Sequence, residues 1–338
     1  MTLYAGIDLH SNNSVVVIQD EKDKVVKRRR LANRLETVLG MLEPYRDALV
    51  GVVMESTYNW YWLVDGLQAN GYRVHWANTA AIQQYSGLKY TDDDSDARWL
   101  ATMLRLEVLP EGHIYPKKER GVRDLVRKRS QLVRHRTAHL LSIENLILRN
   151  TGTRMTANEV RVLTPEKIEA LLLEEDLALA VKANAAVLVC LEEQIKQVET
   201  AVLAKVRLRK AFRGLLTVRG IGRILAVTIM LETGDIKRFK GVGNYVSYCR
   251  CVPSVRLSNQ KKKGKGNAKN GNKYLSWAFI EAAHFAIQWD ARVRRFYDRK
   301  AAKTKRVVAI KAVSGKLARA CYHVMNDDVA YDVRRAFG

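Results

Sequence analysis

The chain has 338 residues, 47% of them hydrophobic, enough for two or three domains with their own cores and too apolar for a mainly disordered protein. With 58 Lys+Arg against 35 Asp+Glu the formal net charge is +23, so the expected partner is a polyanion, nucleic acid before an anionic membrane surface. The longest apolar candidate, Leu177 to Leu191, is broken by Lys182 and Asn184, and the start Met1 to Gly6 lacks a signal peptide's basic and apolar regions, so neither membrane insertion nor secretion is expected.

Cys190, Cys249, Cys251 and Cys321 have no C-x-x-C metal spacing, so free thiols in a reducing cytoplasm are the expectation. The first hundred residues alternate strand and helix signals. Tyr4 to Leu9 and Ser14 to Gln19 are apolar runs separated by the polar turn His10-Ser11-Asn12-Asn13, and Lys24 to Leu31 supplies a third, charged strand. That is a three-strand antiparallel start. A helix over Arg34 to Leu42, stopped near Pro44, leads to a buried strand, Leu49 to Met54, ending at Glu55. An aromatic-rich helix from about Tyr58 to Ala69, a strand Tyr72 to Trp76 and two more helices follow. Three strands and then strand–helix alternation is the order of an α/β RNase H-like mixed sheet with helices on both faces.

The last of those helices opens on an acidic stretch, Thr91-Asp92-Asp93-Asp94-Ser95-Asp96-Ala97-Arg98. Thr91 and the aspartates are cap-type residues, and Ala97, Leu100, Met103 and Leu104 continue at helical spacing. Asp93 and Asp96 are three apart, so they share a helix face. An acidic first turn complementing the helix dipole would explain such a run on its own. The sheet order gives it another meaning: Asp8, near the end of the first strand, and Glu55, just past the fourth, are then neighbours, with the acidic helix packed across them. Four carboxylates gathered this way repel one another unless cations neutralise them, so the site is expected to hold Mg²⁺. Two ions about 3.5–4 Å apart would activate a nucleophile and stabilise a leaving oxygen at a phosphodiester.

From about Glu119 to Lys210 the chain reads as almost wholly helical. Val122, Leu125, Val126, Leu132 and Val133 recur at helical spacing with Arg123, Arg127, Lys128, Arg129, Arg134 and Arg136 between them. Thr164-Pro165-Glu166 is an N-cap followed by proline at the first helical position. The expected product is a helical hairpin or coiled coil suited to dimerisation, its basic face offered to phosphates. An ordinary helical linker domain with solvated charges is the alternative. His135 and His139 are four apart, but with no third ligand in view they read as solvated or phosphate-facing.

Next comes Arg219-Gly220-Ile221-Gly222-Arg223 before an apolar helix, glycines that let backbone N–H groups approach a phosphate or simply turn the chain between helices. From Pro253 to Leu275 there are seven basic residues and no acid, Arg256, Lys261, Lys262, Lys263, Lys265, Lys269 and Lys273, interleaved with Gly and Asn. This reads as a flexible loop closing on a nucleic-acid backbone, or else as a disordered basic linker. The following helix, Tyr274 to Ile287, has an apolar face able to anchor it, and beyond Gln288 the chain is again helical and basic.

Gly6-Ile7-Asp8-Leu9-His10, Met54-Glu55-Ser56-Thr57, Asp93-x-x-Asp96-Ala97-Arg98, Gly220-Ile221-Gly222 and the Ser258 loop ending Lys269-Asn270-Gly271-Asn272 resemble, in this order, the DEDD-type insertion-sequence transposases. This is the family related to the Piv DNA invertases and called IS one-ten, with its IS eleven-eleven branch. The resemblance covers nearly the whole chain. It implies an RNase H/RuvC-like catalytic domain over 1–115, a helical coiled-coil dimerisation region over 116–210 and a mainly α C-terminal transposase domain with a serine loop over 211–338. Carried over by position, Asp8, Glu55, Asp93 and Asp96 are similar to the metal-binding tetrad and Ser258 to a nucleophile that stores the phosphodiester as a covalent serine–DNA link. Ser254 is a nearby competitor, and Asn259 stands where the family commonly has Gly. Asn also reaches a left-handed backbone. The D-x-x-D-A spacing selects Asp93 with Asp96 from a run that also holds Asp92 and Asp94.

The resemblance further implies donor and target DNA as substrates, a structured bridge RNA as guide, a homodimer or homotetramer, no membrane partner, and a bacterial cytoplasmic location associated with the nucleoid when DNA is bound. Two other readings fit the residues: a metal-dependent RNase H-like nuclease or Holliday-junction resolvase in which the Ser258 loop only binds, and a non-enzymatic nucleic-acid-binding protein with a fossil acidic site.

Overall fold

The computed structural model describes residues 1–55, 58–82, 92–253, 256–264 and 270–338. It divides into two compact units, Met1–Lys117 with Ser254–Asn270, and Lys118–Pro253 with Gly271–Gly338. In the first, β1 (Leu3–Leu9), β2 (Asn13–Asp20) and β3 (Val25–Ala32) form an antiparallel meander. Helix α1 (Leu35–Leu42) and a 3-10 turn over Glu43–Ala48 lead to β4 (Leu49–Glu55); α2 (Tyr61–Ala69), β5 (Val74–Ala77) and α3 (Asp93–Arg105) follow. The five-stranded sheet has the order β3-β2-β1-β4-β5, with β4 parallel to β1 and β5 parallel to β4.

Because side chains alternate along a strand, each strand feeds two cores. Leu3, Ala5, Ile7 and Leu9 of β1, Val16 and Ile18 of β2 and Val52 and Met54 of β4 pack with Val38 and Leu42 of α1 and Leu63, Val64 and Leu67 of α2. The intervening residues face α3: Val15 and Val17 meet Ala97, and Val53 packs with Leu100, Met103 and Leu104. Gly6 lies on that second face, and a Cβ there would stand 1.8 Å from the Ala97 carbonyl oxygen. Glycine therefore lets the helix backbone rest directly on β1.

The antiparallel start, β4 and α3 occupy the spans expected from the sequence. Helix α2 begins at Tyr61 rather than near Tyr58, since the Asn59 amide donates to the His10 carbonyl at 2.9 Å and holds the preceding residues in a turn. Of the further helix expected before α3, Thr79–Ala81 form a 3-10 turn, and 83–91, with Thr91, lie outside the described residues.

In the second unit α4 (Lys117–Thr151) and α7 (Glu175–Val206) make an antiparallel hairpin, with Arg129 against Glu199 at 2.7 Å and His139 against Asn184 at 2.8 Å. Helices α5 (Ala157–Arg161) and α6 (Pro165–Leu171) close its far end over Ile143, Ile147, Val160, Ile168 and Val181. Thr164 caps α6 with Pro165 in its first turn, as the sequence predicts. At the near end Val122, Val126, Val202 and Val206 share a core with Leu215, Ile229, Tyr245, Phe279 and Val313. That core is built by α8 (Lys210–Leu215), α9 (Arg223–Thr233), α10 (Val242–Tyr248), α11 (Lys273–Trp289), α12 (Ala291–Ala301), α13 (Arg306–Asn326) and α14 (Val333–Phe337). Among the described residues no helix is long and apolar enough to cross a membrane. The four cysteines are free thiols.

The segment read as a flexible loop contains a two-stranded hairpin, β6 (Arg256–Ser258) and β7 (Lys261–Gly264), with Ser258 paired to Lys261. Asn259 and Gln260 both have left-handed backbone, φ 49° and 60°, which is what a two-residue type I′ turn requires. An asparagine at the first turn position meets that requirement at low cost.

Candidate active site

Strands β1 and β4 deliver Asp8 and Glu55 to the sheet face that carries α3. Ile7 is registered opposite Met54 in the parallel pair, so the next residue of each strand emerges beside the other. Asp8 is 4% exposed. Asp92 caps α3: its carboxylate accepts from the Ser95 N–H at 2.8 Å while its own N–H donates to the Ser95 hydroxyl at 2.8 Å, a capping box that occupies this aspartate. Asp94 pairs with Arg28 at 3.1 Å. Asp93 is drawn toward the sheet, its Oδ2 lying 2.6 Å from Arg30 and 3.2 Å from His10 Nε2, which is itself 3.3 Å from Asp8 Oδ2.

Burial pushes the Asp8 carboxyl up to about 6; His10 opposes the rise, and Glu55, Asp96 and Asp93 add to it. Glu55 is likewise raised, by burial and then by Asp96. Asp93 is held low, chiefly by its hydrogen bond from Arg30. The structure thus gathers the four predicted carboxylates, and Arg30 and His10 offset only part of their charge. Asp8, His10 and Asp93 have candidate ligand atoms all within 4.8 Å of one another. This donor set fits a divalent cation: hard carboxylate oxygens in excess of the positive charge supplied by the chain.

The other predicted site residues are dispersed. Ser258 is exposed at the end of β6, Lys261 and Lys263 are exposed on β7, and Arg256 and Lys262 belong to the same hairpin. Ser254, Lys265 and Lys269 lie outside the described residues. Lys273 is exposed at the start of α11, its Nζ 5.4 Å from the centre of the Tyr274 ring. The glycine turn belongs to the second unit, the acidic cluster to the first. Gly220 has φ 87°, and a Cβ would lie 2.4 Å from the Ala282 carbonyl oxygen, so this glycine is required by its packing on α11. Gly222 caps α9, and exposed Arg219 and Arg223 line an open groove of about 860 Å³ with Phe285 and Trp289.

Sequence reasoning missed those two aromatics, although Trp289 is 70% exposed. It also missed Glu232, buried in α9 at 2.6 Å from Arg127, 3.1 Å from Arg123 and 2.7 Å from the Asn272 amide. Asn272 closes the Lys269-Asn270-Gly271-Asn272 motif and caps α11 by accepting from the Tyr274 and Leu275 N–H groups. An acid placed directly after the apolar run Ile224 to Leu231 is the signal that marks Glu232. For His10, at the end of Gly6-Ile7-Asp8-Leu9-His10, the signal is its position two residues after Asp8, on the same side of an extended chain.

Fold and site together define a two-unit protein: a mixed sheet bearing clustered carboxylates, and a basic helical unit. Residues 5–152 match the profile of the DEDD-type IS110 transposases, and residues 213–298 that of the Transposase IS116/IS110/IS902 family. The chain is 24% identical over 340 residues to the probable family 20 transposase of Pseudomonas aeruginosa, covering 96% of this chain and 97% of that protein. It is 23% identical over 207 residues to the insertion element IS110 uncharacterized 43.6 kDa protein of Streptomyces coelicolor, covering 56% of this chain and 51% of that one. The chain belongs to the IS110 (IS one-ten) family of transposases, enzymes that cut and rejoin DNA, and the family's DEDD type implies use of a divalent cation. Asp8, Glu55, Asp93 and Asp96 fall within the first matched region and Ser258 within the second.

Proposed function

We propose that this transposase exchanges DNA strands through a covalent serine–DNA intermediate, with Ser258 as nucleophile and Asp8, Glu55, Asp93 and Asp96 as an Mg²⁺-dependent acidic site, guided by a structured bridge RNA. The observation that carries the acidic half is the convergence of four carboxylates from β1, β4 and α3, with Asp8 raised to about 6 by burial and by its neighbours. The sheet order β3-β2-β1-β4-β5 supports an RNase H/RuvC-like reading of this unit. The serine half rests on the family resemblance, supported by the exposed position of Ser258 beside a tight turn flanked by lysines.

Ser258 Oγ bonds to a DNA phosphorus as the scissile P–O bond breaks, and the proton lost by serine is balanced by the hydroxyl gained on the released strand. The hydroxyl of a partner strand reverses the attack and frees the serine. The phosphodiester energy stays in the serine ester, so no nucleotide hydrolysis is needed. When bound, Mg²⁺ supplies Lewis-acid stabilisation of charge on the phosphate. Arg219, Arg223 and the hairpin lysines hold backbone phosphates and contribute no sequence choice. Sequence is read by RNA–DNA pairing and shape by the protein. A dimer of dimers, with acidic and serine parts from different subunits completing each site, is the assembly the family resemblance implies.

The deciding experiment incubates the protein with its flanking transcribed RNA, Mg²⁺ and suicide DNA carrying the element junction, and looks for protein-linked DNA on a denaturing gel. An adduct abolished by Ser258→Ala supports the proposal. DNA cut without any adduct, by Ser258→Ala as well as by the natural chain, would instead establish a metal-dependent nuclease or Holliday-junction resolvase. Strand breakage that persists in Asp8→Asn would remove the acidic site from the chemistry.

A further inference from the structure

We infer that His10 is a nitrogen ligand of the acidic site and that, through it, the site binds Mn²⁺ more tightly than Mg²⁺. The inference rests on the reading of the carboxylate cluster as a metal site. Three observations carry it. His10 Nε2 lies between Asp8 and Asp93, 3.3 and 3.2 Å from one oxygen of each. The Nε2 atom is shielded from solvent and points into the cluster, where its contact with the Asp93 carboxylate is one that a bound cation would replace by coordinating both groups.

The third observation is how firmly the residue is held. The His10 carbonyl accepts from the side-chain amides of Asn33 and Asn59, both at 2.9 Å, and its N–H donates to the Asn13 carbonyl at 2.9 Å. The Ser14 hydroxyl donates to Asn33 at 2.6 Å and so fixes one of those amides in turn. A turn residue with no task needs no such bracing from β2, from the end of β3 and from the approach to α2. Supporting contacts of this kind orient ligands at metal centres.

The ligand chemistry sets the preference. Mg²⁺ takes oxygen donors in a strict octahedron and keeps much of its water, so an imidazole adds little. Affinity for nitrogen-containing sites rises along the first transition series from Mn²⁺ onward. Four carboxylates and one imidazole therefore suit Mn²⁺ better than the carboxylates alone would.

The test is spectroscopic and uses the full chain. Mn²⁺ and Mg²⁺ binding are measured by calorimetry, and the Mn²⁺-loaded protein is examined by electron spin-echo modulation for coupling to an imidazole nitrogen. The natural chain should show that coupling; His10→Ala should lose it, with Mn²⁺ affinity down on the order of tenfold and Mg²⁺ affinity changed far less. Mn²⁺ bound in an Asp8-dependent manner without nitrogen coupling overturns the role of His10 and leaves the metal site standing. No binding of either cation, or binding unchanged in Asp8→Asn, overturns the metal site and this inference with it.

Discussion

Glu232 and Asp8 are both buried carboxylates, 1% and 4% exposed, and their surroundings push them in opposite directions. Burial raises Glu232, but Arg127, Arg123 and the Asn272 amide more than reverse it, and the group is held below its ordinary range. Burial raises Asp8 as well, and there Glu55, Asp96 and Asp93 add to the rise while His10 opposes it. One acid is neutralised by its own chain and the other is not. The first arrangement holds helices together; the second is comfortable only with a proton or an external cation.

The sharpest way to break that contrast is to remove the satisfied acid. Glu232→Ala leaves two arginines and a capping asparagine facing a void, and losing one partner of a buried ionic group costs about 3–5 kcal/mol. Thermal unfolding should show a fall in Tm of roughly 10 °C, by the usual scaling for domains of this size, and Mg²⁺ should not change the deficit. A loss below about 1 kcal/mol would mean that the network is no more than a surface pair. Next in size is Gly6→Ala, which keeps every carboxylate but sets a methyl against the Ala97 carbonyl. Pushing α3 off β1 should cost about 1–3 kcal/mol, as overpacking does, and should also abolish stabilisation by divalent cations. Full cation response in Gly6→Ala would show that the site does not depend on this close contact.

Removing the unsatisfied acid should have the opposite sign. A carboxyl whose folded-state pKa is raised from 3.8 to about 6 binds its proton more tightly in the folded chain, so its contribution is present below about pH 4 and is lost as pH rises through about 6. Asp8→Asn has no such loss. Without cations the variant should match the natural chain near pH 4 and exceed it in Tm by several degrees at pH 8. Mg²⁺ should raise the Tm of the natural chain and leave Asp8→Asn unmoved. An Asp8→Asn protein less stable than the natural chain at pH 8 would show that the cluster is already neutralised from within.

The acidic half was legible because strand pleat and sheet order depend on short-range pattern. The runs Tyr4 to Leu9 and Leu49 to Met54 are unmistakable, and once they pair in parallel Asp8 and Glu55 must be neighbours. The capping box on Asp92 and the Arg28 pair on Asp94 were not legible, yet they explain why Asp93 and Asp96 are the members of that run left to face the strands. Phe285 and Trp289 escaped because their proximity to Gly222 is made by α11 packing on Gly220, a contact between residues far apart in the chain. The type I′ turn escaped because Asn259-Gln260 lacks the glycine that usually announces one.

That turn gives the smallest expected effect. Asn259 already holds φ 49°, a conformation that costs an ordinary residue about 1–2 kcal/mol and asparagine much less. Asn259→Gly, which restores the residue common in the family, should therefore leave Tm unchanged and covalent-adduct yield within about twofold, as for most substitutions at exposed sites. Asn259→Val puts a β-branched residue where φ is positive and should lower adduct yield while sparing the core, because the strain is confined to the β6–β7 turn. If Asn259→Gly lowered the yield as far as Asn259→Val, the asparagine side chain itself would be contacting DNA, and its departure from the family pattern would be a specificity feature rather than a neutral substitution.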